Sequence, residues 1–270
     1  MSLFSFYRIS KPSAEQVAPE KMESTYKTLR NKTFWGATVA YSLYYVCRMS
    51  LSVVKQPLID EGILSAGELG VIGSALLFVY AVGKFMNGFI ADYCNIKRFM
   101  ATGLFISAII NLLLGVLGVV NDIVPQSTAV IFFSFAILWG MNGWMQSMGS
   151  PPGVICLSRW FPKSKRGTYY SIFSSTPYIG EFLSFIITGL IVGAIGWKAG
   201  FIVAAIAGII GSLVILWMVS DTPESKGLPS VQELSGESLT KERRRCTAGN
   251  RQSLRQKDRA GFALFQNAAE

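Results

Sequence analysis

Residues 39–54 read VAYSLYYVCRMSLSVV, and one permanently charged side chain, Arg48, sits in the middle of that apolar and aromatic run. A helix built from it is greasy on nearly every side. An arginine there is costly against hydrocarbon, so it must face a cavity or a partner. What surrounds Arg48 therefore depends on whether this run crosses a membrane.

The remainder of the chain says that it does. Of the 270 residues 51% are hydrophobic and 15% charged, whereas a soluble domain carries about a quarter charged residues. Mean hydropathy is +0.40. The apolar residues gather in runs of about twenty, the length that crosses a hydrocarbon core of roughly 30 Å. Six such runs are read, at 34–54, 69–91, 99–120, 127–157, 168–192 and 197–219. The fourth is overlong and holds Pro151 and Pro152, which predicts a kink because two backbone donors are missing. Alternating strand patterns are absent, which argues against a β-barrel. The fold class is an all-α membrane protein.

The formal net charge of +9 raises the question of nucleic acid, and its distribution answers against it. Arg8, Lys11, Lys21, Lys27, Arg30 and Lys32 precede the first run. Lys97 and Arg98 lie between the second and third, and Arg159, Lys163, Lys165 and Arg166 between the fourth and fifth. The alternate loops hold only Lys55 and Lys198. That pattern places the basic loops, and both termini, on the cytoplasmic side of an inner membrane. Residues 1–33 are too charged for a cleaved signal and are read as a cytoplasmic segment. Residues 34–220 are then a six-helix bundle and 221–270 a cytoplasmic linker and tail. Cys47, Cys94, Cys156 and Cys246 form no disulfide or metal pattern, and with no histidine present no cofactor is expected. No nucleophile–base pair or nucleotide loop points to an enzyme.

Two loops carry further information. The first, GFIADYCNIKR at 88–98, places Gly88 four residues before Asp92 and ends in a basic pair. The glycine would let helices approach closely, and the aspartate could hold a basic partner or a helix N-terminus. This loop resembles the signature loop of the major facilitator superfamily, with Tyr93 and Asn95 replacing a usual basic residue and glycine. The second stretch, GWMQSMGSPPGVICLSRWFPKSKRGTYYSIFS at 143–174, is more specific. Together with YYVCRMS at 44–50 and SDTPESKGLPS at 220–230, it resembles the organophosphate:phosphate antiporters of that superfamily. Glycerol-3-phosphate and hexose-6-phosphate transporters belong there, as does a hexose-phosphate sensor. The resemblance runs from about Lys32 to Glu233 and implies the N-terminal six-helix half of a twelve-helix fold. The basic segment at 240–270 carries no such resemblance. It is read as a truncated or out-of-frame end, with a tail that touches anionic lipid as the alternative.

Helical spacing explains Arg48. Tyr41, Tyr45, Arg48 and Ser52 fall on one stripe of the first run, with Tyr44 beside it. Tyr80, Lys84 and Asn87 form a stripe on the second, Asn142 and Gln146 on the fourth, and Ser174, Tyr178, Glu181 and Thr188 on the fifth. The third and sixth runs largely lack one. Such polar faces should surround a shared cavity, and one lined by arginine, lysine and tyrosines suits an anion. A guanidinium fork matches phosphate oxygens, lysine adds a point charge, and tyrosine rings support the cations. Glu181 is expected to pair with Lys84 or Arg48 and tune the charge of the pocket. Asn142 and Gln146 fit either helix–helix contact or substrate contact. Asp92, Arg159 and Arg166 are read as a structural latch.

The resemblance implies more. The family's phosphate-binding arginine of the first helix corresponds to Arg48, its second-helix lysine to Lys84, and its tyrosines to Tyr41, Tyr45 and Tyr80. Pro177, in TPYIGE, stands where the family carries a histidine. A second phosphate-binding arginine belongs to a seventh helix. The implied function is exchange of an organophosphate for inorganic phosphate by alternating access, with a second six-helix half as partner. A membrane receptor for hexose phosphate and a non-functional fragment are the alternatives.

Overall fold

A computed structural model of the chain describes residues 3–234. Residues 240–270 and Cys246, the subject of the tail expectation, lie outside the described residues. Residues 3–228 form one compact unit. It contains α1 (Leu3–Phe6), α2 (Pro19–Asp60), α3 (Ala66–Asp92), α4 (Ile96–Ile123), α5 (Thr128–Ser147), α6 (Ser150–Trp160), α7 (Lys163–Leu183), α8 (Gly189–Ile195) and α9 (Trp197–Met218). A second unit begins at Pro229, and its described part holds the single turn α10 (Val231–Leu234).

Local chemistry sets most of the boundaries. Ser65 and Glu68 form a reciprocal capping box that starts α3. The Asn95 side chain accepts from the Arg98 N–H at the start of α4, and Ser127 does the same for Val130 at the start of α5. The predicted kink falls between α5 and α6, where the chain breaks at Met148 and Gly149 just before the two prolines. Between α7 and α8 the fifth run winds through one π-helical turn, Ser184–Thr188. Gly196, at φ 101°, then turns the chain into α9, a conformation that favours glycine.

Six long helical stretches thus correspond to the six apolar runs. Five of them are long and apolar enough to cross a membrane. The exception is α2, whose tyrosines, serines, threonines and Arg48 dilute its apolar window. It is nevertheless buried among its neighbours, with Phe34, Ala40, Tyr44, Cys47 and Val54 all inside. Also, α2 begins at Pro19, so residues 19–33, expected as a separate segment, are the first turns of the same helix.

Packing pairs α3 with α5, α4 with α9, and α2 with both α7 and α9. Several close crossings require glycine, two of them against a backbone carbonyl of α2 or α3. A Cβ on Gly143 would lie 2.4 Å from the Leu76 carbonyl oxygen, and one on Gly180 would lie 2.2 Å from that of Ser42. At one end of the bundle Leu58, Leu69, Ile72, Leu114, Phe135 and Phe201 form an apolar core. At the other end residues 7–17 lie as a strap across the helix ends. The Asn95 N–H donates to the Tyr7 carbonyl at 2.7 Å, and the Val17 N–H donates to that of Gly227 at 3.0 Å.

Candidate functional site

The charged face of α2 meets that of α3 at one aromatic ring. The Arg48 guanidinium carbon lies 4.1 Å from the Tyr80 ring centroid, and the Lys84 ammonium lies 5.6 Å from the same centroid. The Tyr45 ring flanks Arg48 from the other side at 5.5 Å. Tyr41 packs edge-on against Tyr45 at 5.6 Å and stacks on Phe173 of α7 at 5.0 Å. Tyr41, Tyr45, Arg48, Tyr80 and Lys84 therefore form one continuous cluster. Spacing placed these residues on one stripe of each helix, and the packing of α2 and α3 joins the stripes.

The cluster is cationic, and no ion pair among the described residues neutralises it. Among the described residues the ion pairs are Lys27–Glu23, Arg159–Asp221 and Lys198–Asp122, and none involves Arg48 or Lys84. This corrects the expectation for Glu181. It is half-buried on α7, beside the close crossing at Gly180, but pairs with neither cation. Two cations on one ring, at the edge of a low-dielectric bundle, repel unless an anion joins them. Pocket charge and donor geometry suit an oxyanion.

Asn142 and Gln146 are engaged elsewhere. Both are buried; both bond to Ser107 of α4, and Asn142 also donates to the Cys47 carbonyl of α2 at 3.5 Å. The Ser107 hydroxyl donates to Asn142 Oδ1 at 2.6 Å, and Gln146 Nε2 donates to Ser107 Oγ at 2.8 Å. Asn111 continues the network, accepting from Ser50 Oγ at 2.6 Å and donating to the Cys47 carbonyl at 3.2 Å. Of the two roles open to Asn142 and Gln146, this geometry has the form of helix–helix contact. Buried polar side chains must find partners, and these find one another. Sequence reasoning missed Ser107 and Asn111, although their four-residue spacing matches that of Asn142 and Gln146. An Asn142→Val substitution is expected to lower stability by about 0.5–2 kcal/mol and to leave anion binding unchanged. Thermal unfolding in micelles, run beside phosphate binding, checks both parts.

The fifth-run stripe also changes. Ser174 is half-buried, Tyr178 is exposed, and Thr188 is buried against Gly200. The π-helical turn inserts an extra residue per turn, so Thr188 rotates away from the face expected for it.

The latch includes a partner that sequence reasoning did not name. Arg159 pairs with Asp221, not with the Asp92 carboxylate, and reaches Asp92 only through its backbone carbonyl. Asp221 is buried and also accepts the backbone N–H groups of Ser10 at 2.8 Å and Ile96 at 3.0 Å. One carboxylate thus ties the strap, the start of α4 and the end of α6 together. Partial burial raises the pKa of the neighbouring Cys94 thiol, with Arg159 pulling the other way. Arg166 donates instead to the Phe161 and Ser158 carbonyls, closing the C-terminal end of α6. Gly88 corrects a further expectation, because a Cβ there would meet nothing within 4 Å. The close approaches of α3 occur at its own Gly83, against Ser147, and opposite Gly143.

With this arrangement in view, the relatives of the chain can be named. Residues 37–266 match the Major Facilitator Superfamily, and the chain belongs to it. It is 33% identical over 230 residues to the "Probable hexose phosphate transport protein" of Chlamydia muridarum, covering 85% of this chain and 48% of that protein. It is 37% identical over 223 residues to the "Glycerol-3-phosphate transporter" of Bacillus subtilis, covering 82% of this chain and 48% of that one. The chain spans about half the length of the curated relatives it matches. The solved structure of a bacterial homolog of the human lysosomal transporter Spinster, inward-facing and unoccupied, shares the fold. Its TM-score is 0.59 at 20% identity, covering 73% of this chain and 44% of that one. The relatives are named as transporters, in keeping with the reading that this is not an enzyme.

Proposed function

We propose that the chain provides one six-helix half of a carrier that exchanges an organophosphate for inorganic phosphate by alternating access. The observation that carries this reading is the convergence of Arg48 and Lys84 on the Tyr80 ring, with no carboxylate among the described residues paired to either. A phosphate monoester, close to a dianion at neutral pH, supplies the missing charge. Arg48 takes two phosphate oxygens through its planar fork, Lys84 adds a mobile point charge, and the Tyr80 hydroxyl can donate, with buried Tyr41 bonded to Ser150 and Tyr45 behind it. The names of the relatives supply the substrate class, hexose phosphate or glycerol 3-phosphate. A second six-helix half would complete the cavity. Reorientation then requires a bound anion, because the empty basic face is costly to close against hydrocarbon.

Equilibrium dialysis of the purified chain in micelles tests the binding part. Radiolabelled phosphate should bind and be displaced by glycerol 3-phosphate or glucose 6-phosphate. Absence of binding overturns the reading. Counterflow into phosphate-loaded vesicles tests the transport part, and binding without exchange favours the receptor alternative.

The proposal includes an inner-membrane, multi-pass location with both termini cytoplasmic. The Asp60–Ser65 turn would then face the opposite side from the strap and the 220–228 segment. Reporter fusions at Glu61 and Gly227 are expected to report opposite sides, and matching reports would refute this topology.

A further inference from the structure

Lys55, a residue that sequence reasoning assigned only to a loop, lies on the same face of α2 as Arg48. Seven residues separate them, two helical turns or roughly 10 Å along the axis. Ser52 sits between the two, and no hydrogen bond engages its hydroxyl among the described residues. A cavity of about 330 Å³ runs along this face, lined by Arg48, Ser52 and Lys55 from α2 and by Gly70, Gly73 and Ser74 from α3. Cβ atoms on Gly70 or Gly73 would meet nothing within 4 Å, so the α3 wall leaves the space open. Arg48 belongs both to this cavity and to the Tyr80 cluster, so its side chain borders both.

The carboxylates at this end of the bundle are engaged elsewhere. Asp60 accepts from Gln56 at 2.7 Å, Glu61 from the Trp197 indole at 2.8 Å, and Glu68 from Ser65 at 2.7 Å. Asp122 pairs with Lys198. Among the described residues Lys55 has no acidic partner, and its charge adds to that of Arg48 along one cavity.

We infer that Lys55 and the cavity beneath it form an approach subsite for phosphate, through which the anion reaches Arg48 from the end of the bundle that carries the Asp60–Ser65 turn. This rests on the reading of Arg48 as the phosphate ligand. Lys55 acts as a positioning cation at a distance of about two helical turns, and Ser52 offers a hydroxyl on the way. A charge acting over that distance is felt strongly at low ionic strength and is screened at high salt, because the Debye length falls from about 30 Å at 0.01 M to about 3 Å at 1 M.

The test is binding of inorganic phosphate to the full chain in maltoside micelles free of phospholipid, at 0.01 M and at 1 M salt. Lys55→Gln is expected to raise Kd about three- to tenfold at low salt, from a Coulomb attraction across roughly 10 Å, and to match the unmodified chain at high salt. Lys55→Arg should restore the low-salt value. Gly73→Leu, which narrows the cavity without touching a charge, should slow phosphate association at both salts. If Lys55→Gln leaves Kd unchanged at low salt while the unmodified chain binds, the subsite is refuted and the Arg48 reading stands. If the unmodified chain binds no phosphate, both fall. Repeating the measurement in phosphatidylglycerol nanodiscs separates a free anion from a lipid headgroup. Loss of the Lys55 effect there would make the headgroup the occupant and overturn the approach route.

Discussion

Replacing Arg48 by lysine is expected to weaken phosphate-ester binding about 10- to 100-fold while the helices fold as before. Both side chains carry one positive charge, so any loss comes from geometry. The guanidinium is a planar fork that holds two phosphate oxygens, whereas ammonium is a compact and strongly hydrated point. Losing one charge-assisted hydrogen bond costs about 1.5–3 kcal/mol, which converts to roughly that range of affinity. The planar group also lies 4.1 Å from the Tyr80 ring, a contact that lysine reproduces less well. Dialysis with radiolabelled phosphate measures the affinity, and far-ultraviolet circular dichroism confirms that the helices are intact. Unchanged binding would assign Arg48 to packing alone.

Asp221→Ala is expected to be the most destabilising change at the strap end of the bundle, by about 3–5 kcal/mol, the usual cost of breaking a buried pair from one side. The Asp221 side chain is 2% exposed and that of Arg159 is 15% exposed. Alanine would leave the Arg159 charge without its partner, and would leave the backbone N–H groups of Ser10 and Ile96 without acceptors. The double change of Asp221→Ala with Arg159→Leu should recover part of the loss, because the unpaired charge goes with the arginine. Denaturant unfolding in micelles reads both. A loss below about 1 kcal/mol for the single change would mean that water replaces the carboxylate.

The helices were legible because hydropathy is a property of composition along the chain. Every apolar run became a long helical stretch, and the prolines at 151 and 152 marked the break. The Arg48 cluster was legible because its members lie three or four residues apart on each helix. What remained hidden depends on which helices meet. Nothing in the spacing of Asn142 and Gln146 tells whether they turn toward Arg48 or toward Ser107. Glu181 was expected to seek the nearest cation, but α7 holds it away from both. The latch partner was the hardest to see, since Asp221 lies 62 residues from Arg159 and 211 from Ser10. The π-helical turn is equally silent in SFIIT, whose residues read as an ordinary helix.

The strap has a consequence for the order in which the molecule is made. Ser10 and Val17 leave the ribosome early, yet the groups that accept from them, the Asp221 carboxylate and the Gly227 carbonyl, emerge only after α9. At roughly 5–20 residues per second, the early segment waits on the order of ten seconds or more for its acceptors. In that interval the Ile96 N–H also lacks its carboxylate, so α4 enters the membrane with one end unanchored. The strap therefore cannot close before residues 221–227 have been made.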